Sequence, residues 1–165
     1  MNETPDADGR IASALERYLR ERGVEFRAVE HAPTLTSEAS AQARGEPLSI
    51  GGKALLLKVD DVFALFVLSA AAKLDNSAIR KHFGARKARF ATREELWDMT
   101  GLVPGCVPPF GEPVLPFSLY ADPSILEQPR IAFNAGSLTR SFVLAIDDWV
   151  AAASPQRLRF ADSGG

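Results

Sequence analysis

The sequence predicts a mixed α/β domain, on three observations. Two apolar runs, Lys53–Val59 and Val62–Ser69, are separated by Asp60-Asp61 alone, the pattern of adjacent central strands buried on both faces. Helical periodicity lies outside them, beginning with Ile11, Leu15, Tyr18 and Leu19 on one face. Strand-like and helix-like segments do not alternate regularly, which separates the chain from a doubly wound fold. The expectation is one mixed, curved β-sheet surrounded by helices in a single domain over residues 8–153, with loose tails at 1–7 and 154–165.

The elements follow in order. The first helix opens near Asp8 and stops at Gly23. Phe26–Glu30 reads as a short strand, His31–Thr34 as a turn, and Ser37–Arg44 as a short helix closed by Gly45. After the two central strands, Asp75 caps a helix that runs through Phe83 to its stop at Gly84. Thr92 and Glu95 have capping-box spacing for a helix over Arg93–Thr100. A loop rich in glycine and proline occupies Gly101–Pro116, and Pro123–Leu126 fits one helical turn. Arg130–Asn134 and Ser141–Ile146 read as strands, and Asp147 opens a last helix to about Ala153.

Composition narrows the function classes. At 165 residues the chain is long enough for one core, and 46% apolar with 24% charged residues is a globular rather than a disordered balance. Cys106 is the lone cysteine, so no internal disulfide forms and a reducing cytoplasm is the natural setting. The polar start MNETPDADGR lacks a signal-peptide pattern. Lys58, Asp60 and Asp61 interrupt the most apolar region, Ala54–Ala72, leaving pieces too short to span a bilayer, so no membrane partner is expected. No internal repeat is present.

The net charge of −2 does not by itself point to nucleic acid, but its distribution does. Asn76–Arg93 holds no Asp or Glu and carries Arg80, Lys81, Arg86, Lys87, Arg89 and Arg93. Such a run is either a solvated face or a surface that attracts phosphates. The residues expected to bind RNA are Arg80, Lys81, Arg86, Lys87 and Arg89; they would position a backbone without reading sequence.

The segment Gly101–Gly111 is the most informative. Glycine permits close approach to the main chain, and proline removes donors and stiffens the turn. The amides of Gly105, Cys106 and Val107 are available, whereas Pro104, Pro108 and Pro109 have none. A stiff loop with converging N–H groups suits an oxyanion; the alternative is a structural surface loop.

This segment resembles the Gly-x-x-x-Pro loop of the prolyl-tRNA synthetase editing-domain superfamily, the YbaK-like or synthetase-associated domains; here it is Gly105-Cys-Val-Pro-Pro109. Glu30-His31 with Pro33-Thr34, Gly52-Lys53 followed by Ala-Leu-Leu-Leu-Lys-Val, and Phe133-Asn-Ala-Gly-Ser137 match the same family in order and spacing, so that the resemblance runs from about Val24 to Trp149. The resemblance implies a mixed-sheet fold, a site without metal or cofactor, a key lysine, and hydrolysis of amino acids misattached to tRNA, mostly tRNA-Pro. It also implies that the free 2′-hydroxyl of the terminal adenosine assists the attacking water. Several relatives carry an aspartate where Ser141 stands, and some have glycine or alanine at the position of Cys106.

Lys53 is then expected to orient the tRNA 3′ end or the attacking water, the alternative being a solvated strand-end lysine. Lys58 points to the opposite face by strand alternation. His31 is either a general base or, with no nucleophile motif beside it, a structural or pocket-wall residue. Cys106 is either a nucleophile or a small loop residue whose amide acts, and no base adjoins it in sequence. Pro109, Asn134, Gly136 and Ser137 are placed by the resemblance beside the substrate, although the last three also read as an ordinary turn.

The expected function is editing in trans: deacylation of a mischarged tRNA, with alanine on tRNA-Pro as first candidate and cysteine, serine, threonine or 2-aminobutyrate open. A synthetase is a further possible partner. The competing readings are a non-catalytic module that binds tRNA or a synthetase, and a hydrolase of another small ester.

Overall fold

The central hairpin is built by alternation. In the strands Gly52–Val59 (β2) and Val62–Ser69 (β3), Leu56, Leu65 and Val67 enter the main core, while Leu57, Phe66 and Leu68 enter a second cluster on the opposite face. Both faces are therefore apolar, as the unbroken runs predict. Asp60 makes the turn without glycine by adopting a left-handed backbone (φ 51°). Its carboxylate accepts the N–H groups of Arg86 and Lys87, both at 3.0 Å, which holds that conformation.

The computed structural model describes residues 9–34 and 36–162. Before the hairpin come helix α1 (Arg10–Glu21), strand β1 (Arg27–Glu30), helix α2 (Ser37–Arg44) and a 3-10 turn at Leu48–Ile50. After it come β4 (Lys73–Leu74), α3 (Asn76–Phe83), β5 (Ala88–Phe90), α4 (Arg93–Thr100), β6 (Ser118–Ala121) and α5 (Pro123–Leu126). The chain continues through β7 (Arg130–Asn134), β8 (Arg140–Ala145), α6 (Ile146–Ala153), β9 (Gln156–Arg157) and β10 (Ala161–Asp162). The predicted caps form: Asp75 accepts from the N–H of Ala78, and Thr92 and Glu95 make a reciprocal capping box.

The strands divide into a mixed five-stranded sheet, order β5-β2-β3-β6-β9, an antiparallel three-stranded sheet, order β1-β8-β7, and a β10-β4 ribbon. A parallel bridge between Gly51 and Ala132 joins the two larger sheets. The approach is close at Gly52, where an added Cβ would lie 2.5 Å from Ile131 Cδ1. The site forms at this junction.

Two expectations change. The segment after Ala153 is not a loose tail, since β9 pairs with β6, β10 pairs with β4, and Phe160 is fully buried. Buried Asp122 fastens it, with Oδ1 accepting the N–H groups of Phe160 (2.7 Å) and Ala161 (2.8 Å). The alternative of a purely superficial glycine- and proline-rich loop also fails, since Leu102, Cys106, Phe110 and Leu115 belong to the main core while Pro104 and Gly105 stay exposed. The expected tail at 1–7, and the last residues of the expected tail, 163–165, lie outside the described residues.

Candidate active site

A cleft of about 360 Å³ opens at the junction of the two sheets. The start of β2 supplies Gly52 and Lys53, the segment into α2 supplies Thr34, Thr36, Ser37, Ser40 and Arg44, and β7 supplies Ala132 and Asn134. Arg93 from α4 and the loop residues Val103, Pro104, Gly105 and Val107 complete the wall. Arg44, Lys53 and Arg93 bring three cations to it, and among the described residues no Asp or Glu lines it.

Lys53 shares its strand face with Leu55 and Leu57 but stands beyond the end of the second cluster, so it meets the cleft instead of the core. Its ammonium is half-buried and donates a long hydrogen bond, 3.4 Å, to the Ala72 carbonyl. Burial pulls its pKa below the ordinary lysine range, and the charge of Glu38 partly opposes this.

Sequence reasoning missed Arg44. It lies on the face of α2 that carries buried Ser40, four residues earlier, and is 8% exposed. A basic residue in the last helical turn before Gly45 passes for a dipole partner. The signal available was its position among the small residues of the buried face. Its Nε donates to Ser141 Oγ at 2.9 Å and its Nη2 to Asn134 Oδ1 at 3.1 Å, both neutral acceptors. Burial pushes its pKa down to about 10, which leaves it charged at neutral pH. Gly51 lies beside the guanidinium, but its space is limited by Ala70 and Leu48, whose Cβ and carbonyl oxygen an added Cβ would meet at 3.0 and 3.2 Å.

Gly105 takes a positive φ of 92°, which favours glycine. Its carbonyl accepts from Asn134 Nδ2 at 2.7 Å. Among the described residues, the N–H groups of Gly105 and Val107 have no hydrogen-bond acceptor, which leaves two donors at the cleft wall. The expectation for Cys106 fails: its N–H donates to Val103 (3.1 Å), its carbonyl accepts from Gly136 (3.1 Å), and its side chain is fully buried. It offers the cleft neither thiol nor amide.

Of the other expected substrate contacts, Asn134 lines the cleft, whereas His31, Pro109, Gly136 and Ser137 do not. His31 Nδ1 faces the Ala32 carbonyl at 2.9 Å and so carries a proton, and Nε2 meets Ser141 Oγ at 2.8 Å. Pro109 gives its carbonyl to the Trp149 indole at 2.9 Å. Gly136 packs on α1, where an added Cβ would lie 3.2 Å from the Ala12 nitrogen. Ser137 turns back to Thr139 at 3.0 Å. Each has a structural task that the turn chemistry did not disclose.

The cationic run is also partly neutralised. Arg89 forms a two-pronged pair with Glu95 (2.8 and 3.0 Å), which, with the Thr92 N–H, holds that carboxyl down to about 2. Arg86 and Lys87 are exposed at the Asp60 turn, roughly 20 Å along β2 from Lys53. Arg80 and Lys81 sit in the last turn of α3, away from the cleft. The strand β5 runs from this cationic end of β2 back toward Arg93, so the run ends at the cleft although most of it lies outside.

The sequence model of the aminoacyl-tRNA editing domain family matches residues 31–152. The chain belongs to this family. It is 36% identical over 148 residues, 86% of this chain and 87% of the relative, to the multifunctional Ser/Thr-tRNA deacylase ProXp-y of Escherichia coli (strain K12). It is 33% identical over 120 residues to the proline–tRNA ligase of Shouchella clausii (strain KSM-K16), matching 73% of this chain and 20% of that enzyme. Its fold superposes with a TM-score of 0.81 on a crystal structure described as a candidate trans-editing enzyme for prolyl tRNA synthetase, at 26% identity, covering 93% of this chain and 98% of that one. The editing domain described here is a mixed α/β enzyme of the aminoacyl-tRNA deacylase kind. Among its described residues no helix is long and apolar enough to cross a membrane.

Proposed function

We propose that this editing domain acts in trans in the cytoplasm, removing serine or threonine from a mischarged tRNA, with tRNA-Pro as the candidate acceptor and alanine as the second amino acid to test. The observation that carries the reading is the cleft itself: three cations, two unengaged backbone donors and no carboxylate in its described lining. A polyanionic tRNA end suits such a wall, and the loop donors suit the oxyanion of ester hydrolysis. Thr34 and Ser40 bond each other and Thr36 caps α2, so the Ser37 hydroxyl is the lining group set to meet a hydroxylated side chain in preference to alanine, in keeping with the activity named for the relative from Escherichia coli. A site that hydrogen-bonds a hydroxyl discriminates more strongly than an apolar pocket facing one methylene.

In the proposed reaction, water attacks the ester carbonyl carbon and the developing oxyanion lies toward the N–H groups of Gly105 and Val107. The C–O3′ bond breaks, the amino acid leaves as its carboxylic acid, and O3′ takes up a proton. His31 is engaged outside the cleft and Cys106 is buried, so neither serves as base. The 2′-hydroxyl of the terminal adenosine takes that role by relaying the proton of the water to O3′. Lys53 orients the 3′ end, and the exposed Arg86 and Lys87 receive more distant phosphates.

The test is deacylation of a panel of mischarged tRNAs, with a tRNA ending in 2′-deoxyadenosine and acylated at 3′ as control. Serine and threonine should be released fastest, and the 2′-deoxy substrate far more slowly. Preference for alanine overturns the amino-acid assignment; equal rates on the 2′-deoxy substrate overturn the hydroxyl-assisted step. Binding of tRNA without any turnover identifies a binding module instead.

A further inference from the structure

We propose that Arg44 is a phosphodiester-binding residue: it holds the phosphate on the 5′ side of the terminal adenosine and, through Asn134, ties that phosphate to the Gly105 loop. The proposal rests on the reading of the cleft as an aminoacyl-tRNA site and deepens it. A guanidinium that is 8% exposed is costly to keep without a counter-charge, and buried charges are ordinarily paired. Among the described residues no carboxylate lies within ion-pair distance of Arg44, and its polar contacts, Ser141 Oγ and Asn134 Oδ1, are neutral. Its Nη1 has no hydrogen-bond partner among those residues, and the side chain lines the cleft with Lys53 and Arg93.

The missing counter-charge is therefore supplied by the ligand. In an aminoacyl-tRNA the ester carbonyl is neutral and the α-amino group is neutral or cationic, so the anions are the phosphodiesters. Arginine presents planar, paired donors to phosphate. The connection to catalysis is geometric: Nη2 of Arg44 donates to Asn134 Oδ1, and Nδ2 of the same amide donates to the Gly105 carbonyl. The group that receives the phosphate thus also braces the loop that offers the oxyanion donors.

The experiment compares AMP with adenosine as inhibitors of deacylation. They differ by one 5′-phosphate, the group assigned to Arg44. The wild-type protein should bind AMP about tenfold more tightly, a difference of about 1.4 kcal/mol. Arg44→Gln should erase that preference and lower the slope of log KM for aminoacyl-tRNA against log salt by about one. Ser141→Asp, which places a carboxylate beside Nε, should abolish the preference while Arg44 remains. If Arg44→Gln does not fold, the wild-type arginine Nε–H resonance decides: it should shift with AMP and not with adenosine. Equal inhibition by AMP and adenosine in the wild type, or an unchanged preference in either variant, overturns the assignment. The amino-acid panel tests the substrate reading separately, because phosphate preference and side-chain preference are independent readouts.

Discussion

Asn134 donates from Nδ2 to the carbonyl of Gly105 at 2.7 Å, so the end of a core strand holds the turn that faces the cleft. The same side chain accepts from Arg44 (3.1 Å) and Ser141 (3.0 Å) through Oδ1. Every member of this group is buried or fixed by backbone, which makes the loop a rigid part of the site.

Replacing Asn134 by alanine should therefore slow chemistry more than it weakens binding. We expect kcat to fall by roughly 10–100-fold, less than the ~10²–10³ of deleting an oxyanion donor, because the donors of the loop are displaced and not removed. Stability should fall by about 1–3 kcal/mol because the Gly105 carbonyl and the Arg44 guanidinium lose a partner. Single-turnover kinetics beside thermal melts checks both. The effect should be non-additive with Gly105→Ala, since both changes release the same turn.

Lys53 should impose an alkaline limit on binding. Burial lowers its pKa, and a lysine is charged below its pKa, so its attraction for the tRNA end is complete at lower pH and is lost as pH rises through the lowered value. KM should accordingly rise in a pH range below that of an ordinary lysine, after subtraction of uncatalysed ester hydrolysis. In Lys53→Arg, whose own guanidinium stays charged, the part of the rise due to Lys53 should vanish, leaving only the loss of Arg44 charge near its lowered value of about 10. A KM that is flat with pH in the wild type, or rises equally in both proteins, removes this role.

Cys106→Ser should leave deacylation close to the wild-type rate, because the thiol is buried outside the cleft lining and the amide is bonded to Val103. Iodoacetamide should fail to label or inactivate the folded protein, a result that thiol titration in and out of denaturant would show. Inactivation by the reagent would restore a nucleophilic reading.

Asp122→Ala should loosen the C-terminal segment. The carboxylate accepts the N–H groups of Ser124, Phe160 and Ala161, between 2.7 and 2.8 Å. Their loss should lower the melting temperature by at least roughly 10 °C, since hydrogen bonds to a charged group contribute ~1.5–3 kcal/mol each and a kcal/mol shifts the midpoint of a domain this size by about 2–4 °C. Amide exchange should accelerate first at residues 156–162. Truncation after residue 153 should be at least as damaging, because it uncovers the pocket filled by Phe160. A truncated protein as stable as the full chain would contradict this.

Local patterns determined most of the elements. The alternation of β2 and β3, the Asp75 and Thr92 caps and the glycine stops at 45 and 84 each act within a few residues, where side-chain periodicity and cap chemistry suffice. Strand parity alone separated Lys53 from Lys58. The glycine-to-proline motif identified the loop that reaches the cleft, because only glycine fits the backbone of Gly105 comfortably.

Tertiary structure decided what each site residue does. Arg44 and Asn134 are 90 residues apart, and nothing local in either predicts that they share a hydrogen bond. His31, Pro109, Gly136 and Ser137 have side chains or positions compatible with a pocket, yet long-range partners and turn bonds turn them to structural tasks. The C-terminal strands escaped notice because two-residue pairings carry no periodicity and depend on Asp122, whose carboxylate reaches them from more than thirty residues away. Periodicity reports which face of an element is apolar; which polar group meets which is fixed by the packing of distant elements, and the chemistry of this cleft lies in those meetings.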